Sequence, residues 1–99
     1  MNIIEAILSL GNMNDDDVIF AKKENGRFTH TSEVIIVSLL QDEVDLNTIE
    51  IANKYCFGFD YFLEIFIIKD FLTDISTNIE FDSLTKQVDR IIYYAEFDA

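Results

Sequence analysis

The chain has 99 residues, of which 49% are hydrophobic, and its 7 basic and 19 acidic residues give a formal net charge of −12. That length supports one domain, 1–99, with one core. The apolar content argues against disorder, and the charge opposes nucleic acid and anionic lipid, both of which are bound through Lys and Arg.

Nine Phe and four Tyr supply large side chains for a core. Met1-Asn2-Ile3-Ile4-Glu5 has no basic region before its apolar residues, so it does not read as a signal peptide. No apolar run reaches the roughly 18–20 residues that span a bilayer. One cysteine, Cys56, allows no internal disulfide. A reduced, cytoplasmic protein is expected.

In chain order, residues 2–10 predict a helix that Asn2 caps through a box with Glu5, and Gly11 reads as its stop. Asn12 to Asp17 lack periodicity and read as a loop. Val18 to Lys22 predict a strand. Asn25-Gly26 is a strong turn signal, since both residues tolerate positive φ. The run Val34 to Leu40 is β-branched and apolar on both faces, which predicts a strand placed centrally in the sheet.

Gln41 to Asp45 form an acidic connection. Asn47-Thr48-Ile49-Glu50 predicts a second capping box, opening a helix to about Tyr55. Residues 59–76 fit two patterns. Phe59, Phe62, Leu63, Phe66 and Ile67 match a helix face, whereas Tyr61, Leu63, Ile65 and Ile67 match a strand face. Aromatic and β-branched enrichment after Gly58 favours a strand from Tyr61 to Ile67, followed by a helix with Ile68, Phe71, Leu72 and Ile75 on its apolar stripe. Asp82 reads as the cap of a last helix, Ser83 to Glu96, that buries Leu84, Val88, Ile91, Ile92 and Ala95. The expected fold is α+β, a small and mainly antiparallel sheet with helices packed against it. A mostly helical fold is the alternative if residues 59–76 form one helix.

Catalytic signals are weak. His30 is the one histidine, and Cys56 sits among Tyr55, Phe57 and Phe59, which reads as a buried, inert thiol. Asp15-Asp16-Asp17 lacks the spacing of a calcium loop. No glycine-rich phosphate loop is present. No enzyme activity, cofactor or metal is expected.

The acidic groups carry the functional reading. Asp15, Asp16 and Asp17 precede the first strand, and Asp42, Glu43 and Asp45 follow the second. Antiparallel pairing of those strands would gather six carboxylates at one end of the sheet. Glu80, Asp82, Glu96 and Asp98 form a second acidic region near the last helix. Lys22, Lys23 and Arg27 flank the turn, where lysines shield a sheet edge.

In size, charge and α+β pattern, ending in Arg90-Ile91-Ile92-Tyr93-Tyr94-Ala95-Glu96-Phe97-Asp98-Ala99, the chain resembles the small acidic immunity proteins of bacterial toxin systems, including contact-dependent growth inhibition. The segment Tyr61 to Phe66 is similar to segments of other small bacterial proteins. The resemblance implies tight binding to a cognate basic toxin, often a nuclease, through an acidic surface. Partner-binding candidates are Asp15, Asp16, Asp17, Asp42, Glu43, Asp45, Tyr93, Tyr94, Glu96 and Asp98. No nucleic-acid or membrane partner is expected. Two other functions fit the sequence: a structural or regulatory homodimeric subunit joined through a sheet edge, and an inhibitor whose carboxylates mimic nucleic-acid phosphates.

Overall fold

A computed structural model of the chain describes residues 1–97. Three antiparallel strands, β1 (Val18–Ala21), β2 (Val34–Val37) and β3 (Asp60–Glu64), form a sheet in the order β2-β1-β3. Four helices, α1 (Ile3–Leu8), α2 (Thr48–Tyr55), α3 (Ile65–Ile75) and α4 (Leu84–Phe97), pack around it. This is the expected α+β architecture.

The sheet has a layer on each face. Ile19, Ala21, Val34, Phe62 and Leu63 join one core cluster with Ile3, Ile65, Ile68, Val88 and Ile91 of α1, α3 and α4. Val18, Phe20 and Val37 join a second cluster with Ile51, Ala52 and Cys56, on and just after α2. Alternation along β1 and β2 divides their side chains between the layers. Both layers explain why β2 is apolar on both faces although it lies at an edge. The central strand is β1, with all four residues buried, so the expectation of a central β2 is corrected. Cover on both faces, rather than strand neighbours on both sides, produced that signal.

β3 carries a bulge opposite Ile19 and Phe20. It turns the consecutive side chains Phe62 and Leu63 into the same cluster. The strand ends at Glu64, earlier than periodicity suggested. Its successor starts there because Ile65 N–H donates to the Asp17 carbonyl at 2.9 Å and Phe66 N–H to the Asp15 carbonyl at 3.2 Å. Those bonds satisfy two amides of the first turn of α3.

The caps behave largely as read. Asn2 and Glu5 form the capping box of α1, and Asn47 Oδ1 accepts from Glu50 N–H at 2.8 Å. Asn25 and Gly26 have φ of 55° and 80°, and Glu24 and Arg27 bridge across them. Gly11 does not stop α1. It lies in a 3-10 turn, Leu10–Asn12, without the positive φ of a glycine cap. At the last helix, Ser83 Oγ accepts from Lys86 N–H at 3.2 Å, while Asp82 pairs with the Lys86 ammonium at 3.2 Å. The cap is therefore Ser83 rather than Asp82.

Candidate functional site

The antiparallel register places Asp17 beside the end of β2, where Ser38 Oγ donates to Asp17 Oδ1 at 2.8 Å. Asp15, Asp16 and Asp17 thus stand at one end of the sheet. Glu64, the register partner of Val18, joins them and was not recognised in the sequence. This group sits on the N-terminus of α3, where a helix dipole favours negative charge. Lys69, one turn into α3, bonds Asp15 Oδ1 at 2.6 Å. Part of the local repulsion is therefore offset within the fold.

The segment after β2 takes another course. It forms a 3-10 turn, Gln41–Glu43, and folds back on α2. Glu43 is only 3% exposed. Its carboxylate accepts from the Lys54 ammonium, from Tyr55 Oη at 2.5 and 2.6 Å, and from Leu40 N–H at 2.9 Å. Lys54 first, then Tyr55 and the Leu40 amide, hold the Glu43 pKa down at about 2. The same bonds push Lys54 and Tyr55 up. Glu43 accordingly fastens the turn to α2 and does not present its charge outward. Asp42 and Asp45 are exposed.

The segment around them exposes four large apolar side chains. Leu40, Val44, Ile49 and Phe57 are 60, 63, 72 and 83% exposed. They alternate in the chain with exposed Asp42, Asp45, Glu50 and Asp60. Between Arg27 and Lys69 the sequence has one Lys or Arg, Lys54, which is engaged by Glu43. Exposed apolar side chains amid carboxylates suit a partner that brings apolar groups within a cationic rim. These apolar residues were not among the partner-binding candidates, which were chosen for charge and for the aromatic end of the last helix.

The second predicted region lies on α4. Tyr93 is 51% exposed and its ring meets that of Phe97 at a tilt, 4.8 Å between centroids. Tyr94 instead packs on the core and meets Phe71 at 5.1 Å. Glu96, whose side chain is 12% exposed, faces Arg27 at 3.5 Å. Asp98 lies outside the described residues. Tyr93, Glu96 and Phe97 line an open groove of about 370 Å³ with Phe28, His30 and Asp89. His30 Nε2 meets Asp89 Oδ1 at 2.5 Å. That contact ties the loop before β2 to α4. Thr29 Oγ1 donates to Glu24 rather than to His30. Cys56 is in the cluster on the opposite face of the sheet, and burial pushes its thiol pKa up. The histidine therefore has an orienting acid but neither of these nucleophiles beside it.

Among the described residues, no group of three His, Cys, Asp or Glu side chains is placed to hold a metal ion, and no helix is long and apolar enough to cross a membrane. No family model, curated protein or solved structure matches the chain.

Proposed function

We propose that this chain is an immunity- or antitoxin-like protein. It binds and neutralises a cationic toxin domain, of which a basic nuclease is the leading example, in the cytoplasm. The observation that carries the reading is the alternation of exposed apolar and acidic side chains from Leu40 to Asp60, with Lys54 already engaged inside it. Carboxylates speed encounter with a basic protein, and apolar anchors slow its release. Asp15, Asp16 and Asp17 extend the negative field, and Tyr93 and Phe97 offer a further aromatic patch. The single, buried thiol suits a reducing compartment.

The test is affinity capture from the source cells with the tagged chain at low salt. A basic protein should be retained and then released as salt rises. The Asp42→Asn/Asp45→Asn variant should slow association more than it speeds dissociation. Retention of no basic protein, or an unchanged association rate, overturns the reading. A second reading, a homodimer joined at a sheet edge, is favoured by the exposed Ile49 and Phe57 near β3. A mass that grows with concentration in light scattering would support it.

A further inference from the structure

A groove of about 200 Å³ lies between α2 and the start of β3. On the helix side it is walled by Thr48 and Ala52, one turn apart, and by Ile49 and Asn53, also one turn apart, so both pairs share a face. The opposite wall is Phe59, Asp60 and Tyr61, which the chain reaches after turning at Gly58 with a φ of 91°. Pockets for whole small molecules begin at about 300 Å³. This groove is smaller, and its size suits one side chain of a macromolecular partner.

The walls carry two kinds of chemistry. Ile49, Ala52 and the half-buried Phe59 are apolar, and Ile49 is mostly exposed. Asp60, Asn53 and Thr48 add a carboxylate, an amide and a hydroxyl, all on exposed residues. Among the described residues, no ion pair or side-chain hydrogen bond engages any of these three groups. The Tyr61 hydroxyl, by contrast, is held by Glu64 at 2.5 Å and is not available to a ligand.

We propose that this groove is a socket for one arginine side chain of the protein partner. Its stem would lie on Ile49 and Ala52, its guanidinium against the Phe59 ring and the Asp60 carboxylate. This inference rests on the cationic-partner reading above and names the anchor by which that partner docks. The chemistry of the walls selects the occupant. An apolar side chain would strip water from Asp60 without replacing its hydrogen bonds. An acidic one would meet Asp60 in a chain whose net charge is already −12. Lysine has the charge, but as a compact and strongly hydrated point. Guanidinium is planar and less hydrated, and it can stack on a ring while two of its N–H groups bond one carboxylate. Arginine is also among the residues enriched as interface anchors.

The test is an NMR titration of the intact protein with three capped tripeptides, Gly-Arg-Gly, Gly-Lys-Gly and Gly-citrulline-Gly, at millimolar concentration. Citrulline keeps the shape of arginine and removes its charge. The arginine peptide should give saturable shifts at the amides of residues 52–53 and 59–61. The citrulline peptide should bind at least about tenfold more weakly, the effect of losing a charged hydrogen-bonded pair, and the lysine peptide several-fold more weakly. Two variants at exposed positions separate charge from shape. Asp60→Asn should weaken the arginine peptide at least about tenfold. Asn53→Phe keeps every charge but fills the groove, and it should abolish the shifts at residues 59–61. Equal binding of the lysine and arginine peptides, full binding by Asn53→Phe, or shifts centred on residues 15–17 and 42–45 overturns the arginine socket while leaving the cationic-partner reading intact. Absence of saturable shifts with the arginine peptide overturns the socket too, and the cationic-partner reading falls only if the capture experiment also fails.

Discussion

Phe62 is where bulge, core and excursion meet. It is 1% exposed on β3, and its ring meets Phe28 edge-to-face at 5.0 Å. Phe28 is the buried hydrophobic residue of the long excursion between β1 and β2, in which Ser32 is also buried. Truncating a buried Phe to Ala costs about 3–5 kcal/mol, because lost transfer energy and a residual cavity add. A domain has only about 5–15 kcal/mol in total, so Phe62→Ala should remove a large share. Phe28→Ala should cost somewhat less, since a loop can settle into the space. The pair should not be additive. Removing either ring removes the aromatic contact, worth about 0.5–1.5 kcal/mol beyond area, so the double variant should be less destabilised than the sum by about that amount. Urea unfolding followed by circular dichroism measures all four corners of the cycle. If Phe62→Ala does not fold, Phe62→Leu keeps the experiment informative, with an expected loss of about 1 kcal/mol. A cost below about 1 kcal/mol for Phe62→Ala, or a coupling of zero, would refute the placement of Phe62 and with it the bulge in β3.

Four further outcomes are expected. The Glu43 pKa is depressed, so its contribution to stability is present above the unfolded carboxylate pKa of about 4.3, and is lost as pH falls through the folded value of about 2. The difference in urea midpoint between wild type and Glu43→Gln should therefore shrink across that window, and a constant difference would contradict the pairing with Lys54 and Tyr55. Asn47→Ala should destabilise by about 1 kcal/mol through loss of the α2 cap, read as a lower thermal midpoint. Asp15→Asn should cost about 0.3–1 kcal/mol at low salt, since it stands at the N-terminus of α3 and pairs with Lys69. Asp45→Asn should instead raise the midpoint slightly, by relief of like-charge repulsion, and both effects should fade as salt is added.

Elements governed by short-range chemistry were legible in the sequence. The caps at Asn2 and Asn47 and the turn at Asn25-Gly26 each depend on residues within a few positions. The stripe of α4 was equally readable, since Val88, Ile91 and Ile92 are buried as spaced. What failed depended on distant partners. The strand-to-helix switch at Glu64 is set by carbonyls of Asp15 and Asp17 nearly fifty positions earlier in the chain. Edge and centre were exchanged because burial from two layers resembles burial by two neighbouring strands. At the site, Asp42 and Asp45 are exposed as expected. Glu43, between them, turned inward, because an acid followed by Lys54 and Tyr55 on the next helix has a buried alternative to solvent.

The two acidic regions are not physically equivalent, and that difference bears on which one receives a partner. Around Asp15 and Asp17 the carboxylates are engaged from within, Asp15 by Lys69 and Asp17 by the Ser38 hydroxyl. A partner approaching there must compete with bonds that already hold the fold. Among the described residues, no ion pair holds Asp42, Asp45, Glu50 or Asp60, and nearby Lys54 is engaged by Glu43. Repulsion among like charges here lowers the stability of the isolated fold and is relieved by an incoming positive surface, so its relief adds to binding. The same region exposes Ile49 and Phe57 and adjoins the start of β3. Unrelieved charge and exposed apolar surface are each small liabilities in a free protein, and a single cationic partner with apolar anchors removes both.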